Sequence, residues 1–115
     1  MTNDNIVEDL ERRIVKTFLD VIILQVLKEK DSQTGYDIIL FLRKRFGKTL
    51  SSGTVYNTIY AIERKGLIKS VTAARKTSFT LTKKGEETLN IIQKSEEELR
   101  KFRLVSFDID KELLR

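Results

Sequence analysis

Apolar residues recur at intervals of three and four along most of the chain, which is the spacing of helices that bury one face. The strongest of these stripes consists of Leu19, Ile22, Ile23, Val26 and Leu27. It predicts a central core helix that begins at Asp9 or Lys16 and ends near Lys28.

Two more helices are predicted before residue 67. Thr34 is a suitable N-cap for the second helix, and Gly47 is placed to end it. Ser51 or Ser52 can cap the third helix, and Gly66 stands where a residue with positive φ commonly follows a helix. The apolar stripes of these two helices are Ile38, Ile39, Leu42 and Phe46, and then Val55, Ile59 and Ile62.

A hairpin and a long helix complete the pattern. The segments LIKSVT and TSFTLT alternate in polarity, are rich in β-branched residues and are joined by the short basic turn AARK, so they predict two antiparallel strands. Thr82 can cap the last helix. Its apolar residues repeat at near-heptad spacing and are Leu89, Ile92, Leu99 and Phe102.

The order of three helices, a two-stranded hairpin and a long helix is that of a winged helix-turn-helix, a mainly α fold of the α+β class. We expect residues 1–82, including an N-terminal helix, to form a DNA-binding domain. Residues 83–115 are expected to form a C-terminal dimerisation helix within the same compact unit, because 115 residues are too few for two ordinary domains.

Charge is distributed unevenly along the chain. Residues 43–84 contain eleven basic residues and one acidic residue. By contrast, residues 1–42 contain five basic and eight acidic residues, and residues 85–115 contain six basic and eight acidic residues. Such a one-sided block repels itself, so a bound phosphate backbone is one explanation for it. A basic surface that only favours solubility is the other.

Composition argues against an enzyme and against a membrane protein. The chain has no His and no Cys, which removes the usual proton-transfer group, the thiol nucleophile and the soft metal ligands. We therefore expect no catalytic residue, no cofactor and no metal. No segment approaches the roughly 20 apolar residues of a bilayer span, and the first ten residues lack the features of a secretory signal. These features predict a cytoplasmic protein without membrane contact.

The third helix carries the candidate DNA contacts. A helix in the major groove needs hydrogen-bonding or cationic side chains without carboxylates, and Asn57, Tyr60 and Arg64 on its outward face meet that need. Hydroxyl groups at a helix N-terminus suit a phosphate oxygen. The residues with such groups are Ser51, Ser52 and Thr54, which have capping as their alternative role.

Tyr56 lies at the border of the buried stripe, so its ring can pack while its hydroxyl contacts phosphate. Both Tyr56 and Tyr60 have shielding of the hairpin as an alternative. Arg75 and Lys76 stand at the hairpin tip and could follow a backbone or enter a minor groove, against the alternative of a solvated turn.

The narrow apolar stripe of the last helix predicts pairing with a second copy of the chain. Its alternative is to fold back on the N-terminal segment, where Ile6, Val7, Leu10 and Ile14 could complete either interface. A homodimer would place two recognition helices about 34 Å apart, in successive major grooves of a palindromic site.

Four short motifs resemble one family. They are GYDII at residues 35–39, SGTVY at 52–56, IERKGLI at 62–68 and FTLTKKG at 79–85. Together, over about residues 17–88, they resemble the PadR family of transcriptional regulators, and the chain length is similar to that of the family's short subfamily. The resemblance implies a winged-helix homodimer that represses transcription at an operator, with Tyr36, Ser52, Thr54 and Tyr56 close to the DNA backbone. No Trp is present, so a tryptophan-lined drug site cannot be carried over, and a small-molecule inducer is left open.

The leading hypothesis is therefore a sequence-specific, double-stranded-DNA-binding transcriptional regulator, a homodimeric repressor of a palindromic operator. A winged helix that binds an acidic protein, and an architectural protein that binds DNA without sequence preference, are the alternatives. The first predicts little salt-sensitive DNA binding, and the second predicts equal binding to all sequences.

Overall fold

The structure, a computed structural model of the chain, describes residues 3–47 and 50–102. Helices dominate it, and a small sheet is inserted among them. The helices are α1 Asn3–Thr17, α2 Leu19–Glu29, α3 Gly35–Phe46, α4 Ser52–Arg64, α5 Lys83–Lys94, α6 Glu96–Leu99 and a 3-10 turn Arg100–Phe102. The strands are β1 Gln33–Thr34, β2 Ile68–Ala73 and β3 Lys76–Leu81. The predicted winged-helix class is confirmed, with the core helices before the hairpin and α5 after it.

The core forms where α2, α3 and α4 meet the hairpin and α5. The predicted stripes of the three helices converge there, with Ile22 and Phe46 packed at the margin. The buried cluster consists of Leu19, Ile23, Leu24, Leu27, Ile38, Ile39, Leu42, Val55, Ile59, Ile62, Ile68, Phe79 and Leu89. Because no polar residue is buried among the described residues, burial of apolar surface is the main term that stabilises this fold.

Of the two predicted starting positions of the core helix, Asp9 and Lys16, the structure excludes the earlier one. A single helix does not run from Asp9 to Lys28, because α1 ends at Thr17 and α2 begins at Leu19. Phe18 stands between them with φ −104° and ψ 14°, outside the α-helical range, although its amide still donates to Ile14 O at 3.2 Å. The start of α2 lies close to the later of the two predicted positions.

The predicted caps of α3 and α4 are confirmed. The amide of Asp37 donates to Thr34 Oγ1 at 3.0 Å, and the amide of Thr34 donates to Asp37 Oδ2 at 3.0 Å, which is a capping box. The Thr34 amide is the largest cause of a lowered pKa at Asp37, followed by the Thr34 hydroxyl. Of the two serines, Ser51 caps α4 by accepting from the amide of Thr54 at 3.2 Å.

The sheet contains one strand more than the sequence indicated. Its order is β1-β3-β2, and both pairings are antiparallel, with Ala73 opposite Lys76 at the hairpin tip. β1 has only two residues, too few for a periodicity signal. The preceding loop is joined to β3 by a hydrogen bond from the Thr80 hydroxyl to Asp31 Oδ1.

The end of α4 is joined to the start of α5 by several hydrogen bonds. Gly66 follows α4 with φ +78°, as predicted. Thr82 caps α5 by accepting from the amide of Gly85 at 3.1 Å, and its own hydroxyl donates to Gly66 O at 2.6 Å. The Thr82 amide donates to Leu67 O at 3.1 Å. These bonds hold the segment that follows α4 against the start of α5.

The prediction of one long last helix is wrong within the described residues. α5 ends at Lys94, and the four-residue α6 follows Ser95. The Ser95 hydroxyl donates to Ile91 O at 2.8 Å, while its amide is shared between Ile91 O and Ile92 O. A serine that bonds back to the preceding turn often bends a helix, which accounts for the interruption.

Among residues 3–47 and 50–102, none of the helices combines the length and the apolar character that a bilayer crossing requires.

Candidate nucleic-acid interface

The outward face of α4 is where the sequence placed it. Val55, Ile59 and Ile62 are buried, whereas Asn57 and Arg64 are exposed and Tyr60 is 45% exposed. Ser51 and Ser52 are exposed at the N-terminus of the helix, and Thr54 is half-buried. Thr54 Oγ1 lies 3.0 Å from Ser51 Oγ, so the two hydroxyls share a hydrogen bond at the beginning of α4.

One groove lies between α4, the start of α3 and the hairpin, and we call it the wing groove. Its volume is about 570 Å³. It brings together five of the predicted site residues, which are Tyr36, Tyr56, Tyr60, Arg75 and Lys76. Two carboxylates, Asp37 and Glu63, also line it. The wing groove therefore joins an aromatic wall to the cations of the hairpin tip.

The Tyr56 ring is held against the beginning of α3. A Cβ atom on Gly35 would lie 2.5 Å from Tyr56 Oη and 2.6 Å from Tyr56 Cζ, so only glycine leaves room for the ring in this position. Tyr56 is half-buried against the core, and its ring centroid lies 5.9 Å from that of Tyr60. The packing role that the sequence left open for Tyr56 is therefore present.

A second groove lies on the other side of α4, against the junction of α1 and α2, and we call it the helix groove. Its volume is about 420 Å³. Its polar lining residues are Lys16, Thr17, Asp20, Thr54, Asn57, Thr58 and Lys65. Asn57 and Thr54 thus lie in a different groove from the three tyrosines. Lys16 was not among the residues predicted to contact DNA, because it belongs to the acidic first third of the chain.

A family model decides the relationship of this chain to known proteins. The model described as the transcriptional regulator PadR-like family matches residues 23–91, which is more than half of the sequence. The chain belongs to the PadR-like family of transcriptional regulators. The resemblance of the four motifs to the PadR family is confirmed, and the family assigns this chain to DNA-binding regulation of transcription.

Solved structures support the same assignment. A PadR family transcription regulator from Clostridium difficile is 27% identical over 74% of this chain and 93% of its own, with a TM-score of 0.65. A PadR-like regulator from Bacillus cereus is 22% identical, with a TM-score of 0.68, over 76% of this chain and 89% of its own. A transcriptional regulator from Clostridium thermocellum is 22% identical, with a TM-score of 0.67, over 94% of this chain and 99% of its own. The last two show a shared fold. The comparison with curated proteins found no match.

The cations of this PadR-like chain are neutralised in some regions only. Within the described residues, the ion pairs join Arg12 and Arg13 to Asp9 in α1, and Arg100 to Glu96 and Glu97 near the end. None of the described cations between residues 43 and 84 takes part in one of these pairs. The basic block that includes α4 and the hairpin therefore keeps its positive charge available to a polyanion.

The wing tip of the PadR-like chain has an unusual backbone. Ala74 and Arg75 have φ angles of +51° and +66°, so both central residues of this two-residue turn are left-handed. Hairpins of this kind strongly prefer Asn-Gly, because Cβ atoms disfavour positive φ. An arginine is nevertheless present at the position that glycine suits best, with its side chain exposed at the wing groove.

The predicted dimerisation residues have different environments. Leu89 is completely buried in the core of the single chain, so it has no free surface for a second copy. Ile92 is half-buried and Leu99 is 50% exposed, and the side chain of Phe102 lies outside the described part. Ile91, which was not selected from the sequence, is 64% exposed. Its position directly before Ile92 is the sequence feature that could have identified Ile91 as a candidate for the same interface.

Proposed function

We propose that this chain acts as a homodimeric repressor that places α4 in the major groove of a palindromic operator. The observation that carries the proposal is the continuous outward face of α4, which is bordered by the wing groove and by cations that form no ion pair within residues 3–47 and 50–102. Glu63 is the only carboxylate in α4, and it is turned towards the wing groove. The outward face formed by Asn57 and Arg64 therefore carries no carboxylate that the negatively charged DNA would repel.

Affinity and specificity have separate sources in this proposal. Arg75 and Lys76 at the wing tip supply sequence-independent attraction to phosphate, as do the exposed hydroxyls of Ser51 and Ser52. Asn57 and Arg64 supply base recognition, because an amide can pair with adenine and a guanidinium with guanine. Tyr36, which is 62% exposed beside the wing, contacts the backbone from the start of α3.

The second copy is proposed to cover apolar surface near the two ends of the described chain. Ile6 and Val7 on α1 are 46% and 51% exposed, and Ile91 and Leu99 are exposed at the other end. Burial of such side chains stabilises association by roughly 25 cal/mol per Å². A two-fold axis through this contact would set two α4 helices in successive major grooves, and bound protein would then exclude polymerase.

The proposal is tested by fluorescence anisotropy with the duplex upstream of the protein's own gene and a scrambled duplex of the same composition. Each titration is done at two salt concentrations. We expect tight, salt-dependent binding with preference for the upstream duplex, and a stoichiometry of two chains per site. Equal binding to both duplexes would favour an architectural role, and no binding at low salt would favour an acidic protein partner.

The wing turn gives a prediction in which stability and binding change in opposite directions. Replacing Ala74 with Asn and Arg75 with Gly should raise the free energy of unfolding by about 1 kcal/mol, since both positive φ angles become favourable. The same double variant should lower the slope of log K against log salt by about 0.9 per bound chain. Chemical denaturation and anisotropy measure the two effects.

Ala74→Asn alone is the matched control for this variant. Asn tolerates the positive φ of position 74 better than Ala does, and Arg75 is kept. This variant should therefore stabilise the hairpin without changing the salt slope. A double variant that binds DNA as tightly as the unchanged chain would contradict a phosphate contact by Arg75.

A further inference from the structure

The side chains of α4 divide into three sets around the helix axis. At about 100° per residue, Tyr56, Tyr60 and Glu63 lie on one side, and Thr54, Ala61 and the C-cap residue Lys65 lie on the other. The first set lines the wing groove and the second lines the helix groove. Asn57 and Arg64 lie between the two sets, and Asn57 also lines the helix groove. The outward face of α4 is therefore bordered by a groove on each side.

The major groove of DNA imposes a matching requirement. It is about 12 Å wide and is bordered by a phosphate strand on each side, while an α-helix with its side chains is roughly 10–12 Å across. A helix seated in the groove thus has one backbone on its left and another on its right. The wing provides Arg75 and Lys76 towards one of them. The opposite strand needs cations from another part of the protein.

The helix groove has such cations. Lys16 comes from the last turn of α1 and Lys65 from the end of α4, so residues far apart in the sequence meet in one groove. Both side chains are exposed, and neither belongs to an ion pair in the part of the chain that the structure describes. Asn57 lines the same groove and extends it towards the outward face of α4.

We propose that the helix groove is a second phosphate site, in which Lys16 and Lys65 contact the DNA strand opposite the one held by the wing. This inference rests on the proposed placement of α4 in the major groove, and it adds a contact surface formed by the α1–α2 junction. Lys16 lies upstream of the region that the family model matches, so the site combines residues inside and outside that region.

The other groups in the groove set the limits of this site. Thr17 Oγ1 donates its hydrogen to Arg13 O at 2.7 Å, so it is not available as a phosphate donor. Asp20 accepts from the amide of Val21 at 2.8 Å, and its negative charge opposes phosphate. Removal of that charge should therefore strengthen DNA binding, which is the opposite of the effect of removing either lysine.

The test uses the full chain and a mixed-sequence duplex of about 30 base pairs, because phosphate contacts do not depend on the operator. Anisotropy titrations over a series of salt concentrations are made for Lys16→Gln, Lys65→Gln, Lys76→Gln and Lys94→Gln. The last substitution removes an exposed cation from the end of α5 and is the matched control. Thermal unfolding establishes that each variant is folded at the temperature of the titration.

Lys16→Gln and Lys65→Gln should each lower the salt slope by about 0.9 per bound chain, which is about a five-fold loss of affinity at 0.15 M salt. Asp20→Asn should tighten binding, and Lys94→Gln should leave it unchanged. If both lysine variants behave like Lys94→Gln while Lys76→Gln flattens the slope, the second site is wrong and the proposed function stands. If the unchanged chain shows no salt-dependent binding, the proposed function itself is wrong.

Discussion

Replacing Gly85 with alanine is expected to lower the free energy of unfolding by about 3 kcal/mol. The added Cβ would overlap the carbonyl oxygen of Leu67, and it would lie 3.0 Å from the Leu67 carbonyl carbon and 3.2 Å from Leu81 Cδ2. A backbone carbonyl cannot turn aside as the end of a flexible side chain can. The first turn of α5 must therefore move away from the segment that follows α4.

That movement breaks several interactions at once. The Thr82 amide donates to Leu67 O at 3.1 Å, and Lys84 Nζ donates to Lys65 O at 2.8 Å across the same contact. Buried Leu89 lies farther along α5, so a shift of the helix also disturbs the core. For a domain of this size the expected loss corresponds to a Tm lower by about 12 °C, since the unfolding entropy is about 2.1 cal/mol/K per residue.

Gly53→Ala is the matched control for this prediction. Gly53 is exposed in the first turn of α4, and a Cβ there would meet Ser51 Oγ at 3.9 Å, an ordinary contact distance. Alanine should stabilise the helix by about 0.5 kcal/mol. Urea denaturation of both variants measures the difference. Equal stability of the two variants would contradict the close contact between Gly85 and Leu67.

Arg64→Ala is expected to weaken binding to the preferred duplex by roughly 10- to 100-fold, which corresponds to about 1–3 kcal/mol for a lost base contact. Arg64 is exposed on the last turn of α4, between the two grooves, and has no carboxylate partner among the described ion pairs. A guanidinium in this position can pair with a base edge in the major groove. Binding to a scrambled duplex should fall much less.

Lys76→Ala provides the comparison, because a phosphate contact at the wing should weaken binding to both duplexes by the same factor. Like Arg64→Ala, Asn57→Ala should weaken binding to the preferred duplex more than binding to the scrambled duplex. Competition titrations against both duplexes measure the ratio directly. If Arg64→Ala, Asn57→Ala and Lys76→Ala all reduce affinity equally on every sequence, α4 does not read the bases.

Local signals predicted much of the fold. The helical stripes depend on a 3.6-residue period, and caps such as Thr34, Ser51 and Thr82 depend on neighbours three residues away, so both can be read from a single sequence. The left-handed conformation of Gly66 follows for the same reason. The break at Ser95 was missed, and the one at Phe18 was left open between two starting positions, because the apolar spacing continues across both.

The candidate site was predicted less completely, because a list of exposed residues on one helix does not say which groove each one faces. The tyrosines face the wing groove and Asn57 faces the helix groove, a division set by how α4 is rotated against α2, α3 and the hairpin. Leu89 has the same apolar character as Leu99 in sequence. In the folded chain Leu89 is buried in the core, whereas Leu99 is 50% exposed.

The sequence by itself determined the order of elements, their caps, the basic middle third and the family, because each depends on the composition or spacing of nearby residues. Only the tertiary structure decided that Lys16 and Lys65 line the same groove beside α4, and that Gly35 makes room for the Tyr56 ring. Both arrangements bring together residues that are distant in the chain. They depend on how the helices pack around the core, which a local pattern does not specify.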